Sequence, residues 1–113
     1  MSTIAVDDNS FHHYLPENGV TLVEFGAPWC PPCKVLHPIL DQIDHKFQNE
    51  QLTILTVNCD ESPHIAAQYS IMSMPTIIVM FQGEPVEKLV GLRPTSTYVQ
   101  MIERYLRKAH SIM

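Results

Sequence analysis

Two cysteines, Cys30 and Cys33, enclose Pro31-Pro32 in the run Trp29-Cys30-Pro31-Pro32-Cys33-Lys34. This spacing is about one helical turn. It can bring the two Cα atoms within the roughly 4.4–6.8 Å that a disulfide requires. A pair held this way can cycle between dithiol and disulfide, with a thiolate as the attacking species. Two other chemistries compete. One is half of a zinc site, to which His37, four residues after Cys33, adds a third ligand. No second Cys-x-x-Cys completes a tetrahedral set. The other is an inert structural pair. The neighbouring elements bear on the choice.

Residues 21–27, Thr-Leu-Val-Glu-Phe-Gly-Ala, read as a buried strand. Downstream, Val35, Leu36, Ile39, Leu40, Ile43 and Phe47 recur at helical spacing and predict a helix over about 31–49. Pro38 lies inside it and is expected to kink it. The cysteines then sit at a strand-to-helix junction, which is the setting a redox pair needs. Cys30 is expected at the helix N-terminus, nearer solvent, where the dipole and free N–H groups favour a thiolate. Cys33, a turn further in, is expected to be shielded. Glu24 is the one acid in the preceding strand. A carboxylate buried without a partner is costly, and its pKa should rise. The alternative is a strand acid that reaches solvent at a sheet edge.

Around this centre the chain reads as alternating strands and helices. Residues 3–6 form a short strand candidate, and Asp7, Asp8, Asn9 and Ser10 offer N-cap oxygens to a first helix. Residues 52–58 read as a third strand. Ser62 and Pro63 suit the start of a helix whose Ile65, Ala66 and Tyr69 face inward. The apolar run 77–81 reads as a central strand, and the turn Gln82-Gly83-Glu84-Pro85 joins it to an antiparallel strand over 86–91. A last helix, capped by Thr95 or Ser96, carries Tyr98, Met101, Ile102, Tyr105 and Leu106 in one stripe. Cys59 reads as a small thiol without function. The fold class is α/β.

The chain has 113 residues, of which 45% are hydrophobic and 17% charged, which fits one domain, 1–113. Its net charge of −5 argues against nonspecific nucleic-acid binding. The first eight residues have no basic region followed by an apolar run, so no signal peptide is expected. No stretch is apolar for long enough to span a membrane. Three cysteines in a chain read this way point to a reducing compartment, the cytoplasm, where a Cys-x-x-Cys pair is catalytic more often than structural. A monomer is expected.

The sequence resembles thioredoxin over nearly its whole length. The matching residues are Phe25, Ala27, Trp29-Cys30-x-Pro32-Cys33-Lys34, Pro38, Asp60, Met74-Pro75-Thr76, Gly83 and Gly91. The resemblance implies a thioredoxin fold, a central mixed β-sheet flanked by helices on both faces. It implies a protein thiol–disulfide oxidoreductase that reduces disulfides of protein substrates. Cys30 would be the nucleophile and Cys33 the resolving thiol, and Glu24 would exchange a proton with Cys33. Trp29, Met74, Pro75 and Gly91 would shape the docking surface, with a cis bond before Pro75 and Gly91 admitting a close backbone. It implies no bound cofactor, only the redox-active disulfide Cys30–Cys33, and a thioredoxin-reductase-type flavoprotein as electron donor. There are two departures. Pro31-Pro32 replaces the usual Gly-Pro, so the dipeptide should tune the redox balance. Thr56 stands where a lysine often neighbours the acid. An oxidase or isomerase role, or a non-catalytic binding module on the same fold, stays open.

Overall fold

Every residue of the strand β2 (Val20–Gly26) is buried. A strand reads this way only when neighbours flank it and both faces are covered. The protein, a computed structural model, is described over residues 3–111, so the first two residues of the start read as leaderless and the last two of the expected domain lie outside the described residues. β2 pairs in parallel with β3 (Leu52–Asn58), and β3 pairs in parallel with β1 (Ile4–Val6). On its other side β2 runs antiparallel to β4 (Thr76–Phe81), which pairs antiparallel with β5 (Glu84–Val90). The sheet order is β1-β3-β2-β4-β5, a mixed sheet as expected.

Parallel neighbours need crossovers. The helix α2 (Pro31–Lys46) carries the chain from β2 to its parallel neighbour β3, α1 (Phe11–Tyr14) leads from β1 to β2, α3 (Pro63–Gln68) leads from β3 to the antiparallel β4, and α4 (Thr95–Ser111) follows β5. β4 and β5 are joined by Gln82-Gly83, both at positive φ (+55° and +81°), the conformation a two-residue hairpin turn demands. Pro85 falls on the edge strand β5, where a missing N–H is tolerated.

The period of two in the strands sorts side chains between two cores. On one face Val20, Leu22, Ile54, Ile77 and Val79 pack under Leu36, Leu40 and Ile43 of α2 and Tyr98, Ile102 and Leu106 of α4. On the other, Val23, Phe25, Leu55, Val57, Ile78 and Met80 meet Phe11 of α1 and Ile65 of α3. Fully burying one such side chain contributes about 1.5–3 kcal/mol. The same parity puts Glu24, two residues after Leu22, on the face that α2 covers.

Three local expectations are corrected. Val35, read as part of the α2 stripe, is exposed, because the stripe follows Cys33, Leu36, Leu40 and Ile43 instead. Ser10 stands at the N-cap of α1 but makes no side-chain cap; Asp7 accepts from the N–H groups of Asn9 and Ser10 in a local turn. Ser62 stands at the N-cap of α3, yet its buried hydroxyl has no partner among the described residues. The cap comes from Asp8, whose carboxylate accepts from the N–H groups of His64 (3.2 Å) and Ile65 (3.0 Å). Among the described residues, no helix is long and apolar enough to cross a membrane.

Candidate active site

Cys30 is the N-cap residue of α2, in extended conformation, with Pro31 and Pro32 opening the helix. Proline suits this place because the first N–H groups of a helix have no intrahelical acceptor. Cys30 and Cys33 are joined by a disulfide, with Cα atoms 5.3 Å apart. The Cys33 N–H donates to Cys30 Sγ at 3.3 Å. A first-turn N–H aimed at that sulfur favours negative charge there, as does the helix dipole. In the disulfide form both cysteines are buried, Cys30 (3% exposed) only slightly less than Cys33 (1%).

The rim of the site is set by strand register. Phe25 of β2 stands opposite Thr76 of β4, and Thr76 opposite Val90 of β5. Gly26 pairs with Asn58 at the end of β3. The segments that follow β2, β3 and β5 and the one that precedes β4 therefore meet at one end of the sheet. The Met74–Pro75 bond there is cis. The Pro75 carbonyl accepts from the Gly91 N–H at 2.8 Å, tying the two loops together. Gly91 has φ +85°, which explains the glycine, and nothing lies within 4 Å of where a Cβ would point. Trp29 is 64% exposed, and its indole N–H donates to Asp60 at 2.9 Å. Met72 is fully open, so it belongs to the surface rather than the core, while Met74 is half-buried.

Beneath the disulfide lies Glu24, whose side chain is 2% exposed. Burial raises its pKa, and the His37 imidazole partly opposes that rise. Glu24 Oε1 lies 3.4 Å from His37 Nε2, and among the described residues Oε2 has no hydrogen-bond partner. The acid thus does not sit at an edge in solvent, but neither is it without a basic neighbour. His37, first read as a possible metal ligand, faces the acid. Among the described residues no group of three or more His, Cys, Asp or Glu side chains is placed to hold a metal ion.

Gly26 joins the acid to the thiol. A Cβ on it would collide with Glu24 Oε2 and lie 3.0 Å from Cys33 Sγ. Both groups therefore border one small volume that only glycine leaves free. Outside it is an open cavity of about 550 Å³, lined by Glu24, Gly26, Lys34, His37, Thr56 and Glu61 among others. Gly26 went unassigned in the sequence, and His37 was weighed there only as a metal ligand. His37 carried a usable signal, since its i+4 spacing from Cys33 puts it on the helix face that covers β2. Cys59 is half-buried; burial, then the charges of Glu24 and Asp60, push its thiol up, which makes it a poor nucleophile.

The family model described as Thioredoxin matches residues 2–104. The chain belongs to the thioredoxin family. A chloroplastic M-type thioredoxin of Chlamydomonas reinhardtii is 41% identical over 103 residues, covering 90% of this chain and 73% of the relative. A thioredoxin of Staphylococcus saprophyticus is 39% identical over 106 residues, covering 94% of this chain and all of the relative. A solved structure of a mutant thioredoxin from Halobacterium salinarum superposes with a TM-score of 0.84 at 26% identity, covering 93% of this chain and 91% of that one. The five-stranded mixed sheet with helices on both faces is the thioredoxin fold. With the Cys30–Cys33 pair at its helix N-terminus, this thioredoxin-family protein is a thiol–disulfide oxidoreductase.

Proposed function

We propose that the protein works as a reductant of disulfides in protein substrates, as one domain spanning 1–113. The observation that carries this is the placement of Cys30 at the cap of α2 with a first-turn N–H on its sulfur, above a buried acid. The Cys30 thiolate attacks a substrate disulfide, and one substrate sulfur leaves as thiolate. This forms a Cys30–substrate mixed disulfide. Cys33 gives its proton to the Glu24 carboxylate and attacks Cys30 Sγ. The second substrate sulfur leaves, and Cys30–Cys33 becomes the disulfide. Two electrons pass from the cysteine pair to the substrate, and the two departing thiolates take protons from solvent, which balances the proton Cys30 lost on ionising and the one Cys33 gave to Glu24. Cys33 resolves quickly because it is held beside the bond, at an effective concentration far above any free thiol.

Trp29, Met74, Pro75 and Gly91 form the docking rim. The exposed indole and the open space beside Gly91 suit an extended peptide laid along a backbone edge. Pro31 and Pro32 tune the redox balance. The electrons come from a thioredoxin-reductase-type flavoprotein, with no cofactor bound to this chain. The protein acts as a monomer in a reducing compartment, the cytoplasm.

Insulin reduction with a thioredoxin reductase and NADPH tests the direction. Turnover of NADPH with precipitation of the insulin chains is the expected result. Net consumption of substrate thiols instead would make it an oxidase, and neither result would make it a binding module. Cys33→Ser should trap substrates covalently through Cys30, and Cys30→Ser should trap almost none. Equal trapping by both variants would overturn the assignment of roles.

A further inference from the structure

We propose that His37 is the positioning residue for Glu24 and the outlet through which the proton taken from Cys33 reaches solvent. The inference rests on Glu24 being the acceptor of that proton.

A buried acid that accepts a proton must pass it on before the next cycle. Glu24 has few ways to do so. The strand beside it gives none, since Thr56 is its register partner on β3 and a threonine hydroxyl does not titrate in this range. Its Oε2 faces the small volume shared with Gly26 and Cys33 and has no partner among the described residues. Its Oε1 lies 3.4 Å from His37 Nε2, and among the described residues His37 is the one basic side chain within ion-pair distance of it. The two ends of this contact differ sharply in exposure, 2% for the Glu24 side chain and 54% for that of His37. The pair thus spans the step from core to solvent along the wall of the 550 Å³ cavity.

Imidazole chemistry fits the task. A neutral ring accepts a proton at one nitrogen and releases another from the second, near neutral pH. Lys34 lines the same cavity, but an ammonium has no lone pair with which to accept. The cycle balances. Cys33 loses a proton to Glu24, the Glu24 carboxyl passes it to His37 Nε2, and the imidazolium loses one to water. When the disulfide is reduced again and Cys33 leaves as a thiolate, the same groups return a proton to it. The other charged groups that border the pair are Lys34 and Asp41 from α2 itself, and Glu61 from the segment before α3. Asp60 and the Cys59 thiol lie beyond it, and Cys59 feels the Glu24 charge.

Dithiobisnitrobenzoate isolates the step. One equivalent mixed with the reduced protein releases a first coloured thiolate when Cys30 attacks and a second when Cys33 resolves. The coloured product leaves without needing a proton, so the second phase reports proton loss from Cys33. His37→Gln should leave the first phase unchanged and slow the second by about tenfold, less than the roughly 10²–10⁴-fold of a direct acid–base group, because Glu24 remains the acceptor. His37→Ala should be slowed similarly and regain speed with added imidazole. Glu24→Gln should be slower still, and adding His37→Gln to it should cost nothing further, because the relay is already cut. If both His37 variants resolve at the natural rate while Glu24→Gln is slow, His37 does not position Glu24 for the transfer, and the proposal fails while the role of Glu24 stands. If Glu24→Gln is itself as fast as the natural protein, the role of Glu24 fails and the relay falls with it. Slowing by His37→Ala that imidazole does not reverse would likewise overturn the relay.

Discussion

Thr56 stands directly opposite Glu24 in the parallel register of β2 and β3, so the sheet offers the buried acid a hydroxyl-bearing neighbour and no cation. Among the described residues, compensation comes only from the helix side, through a histidine that is itself half in solvent. The carboxyl pKa is therefore held above its ordinary value near 4.5, burial being the main cause. The sign of the linkage follows. In the unfolded chain the group ionises at its ordinary value, while the folded state resists ionisation. Stability is unaffected below the unfolded value, falls as pH rises past it, and levels off above the folded value. Glu24→Gln should thus gain stability over the natural protein as pH goes from 4 to 8. The gain should be on the order of 1–3 kcal/mol at the upper end, the scale of an unsatisfied buried group. Urea unfolding at a series of pH values measures it. A gain that is the same at pH 4 and pH 8 would mean the acid is not destabilised by burial.

Gly26 separates the same acid from Cys33. An added methyl would meet Glu24 Oε2 and sit 3.0 Å from Cys33 Sγ and 3.4 Å from its Cβ. Something must move, and both neighbours are buried. Gly26→Ala should cost about 1–3 kcal/mol, the usual scale for overpacking. It should also slow resolution by Cys33 while leaving the first attack by Cys30 untouched. Denaturant unfolding and single-turnover kinetics check the two halves. Unchanged stability would mean the carboxylate swings away at little cost.

The order of elements, the strand limits of β3 and the inward stripe of α4 were legible because they rest on period and punctuation, which are local. The cysteine pair and its helix were legible for the same reason. What was not legible came from pairs distant in sequence. Asp8 caps a helix that starts at Pro63, and no window around Ser62 contains it. His37 lies one turn beyond Cys33, and its meaning depends on which face β2 presents upward. Gly26 looked like any small residue at a strand end. Val35 failed for a different reason: an apolar type fitted the spacing loosely, and the true stripe starts at a cysteine.

The cap of α3 gives a direct comparison. Ser62 occupies the capping position, but its buried hydroxyl has no partner among the described residues, whereas Asp8 accepts from two first-turn N–H groups. Asp8→Ala should lose about 1 kcal/mol, the typical worth of a cap. Ser62→Ala should be neutral or slightly stabilising, since it removes an unsatisfied polar group. Thermal melts of the two variants rank them, and an equal loss in both would return the cap to Ser62.

Pro31 bears on the redox balance through conformational freedom alone. It opens α2 where no intrahelical N–H is lost, and it precedes a second proline, which steers its own backbone away from the helical region. The residue is thus confined in both redox forms. Glycine there would release the dithiol more than the disulfide, because the closed ring already restrains residues 30–33. The reduced form should gain, and the couple should become more oxidising. The entropy released by such an exchange is about 0.4–1 kcal/mol. For a two-electron couple that is roughly 10–20 mV. Pro31→Gly, equilibrated against glutathione or dithiothreitol with circular dichroism recorded alongside, should show this rise with the fold intact. A potential that stays put or falls would remove Pro31 as a tuning residue and leave any effect of the dipeptide to Pro32.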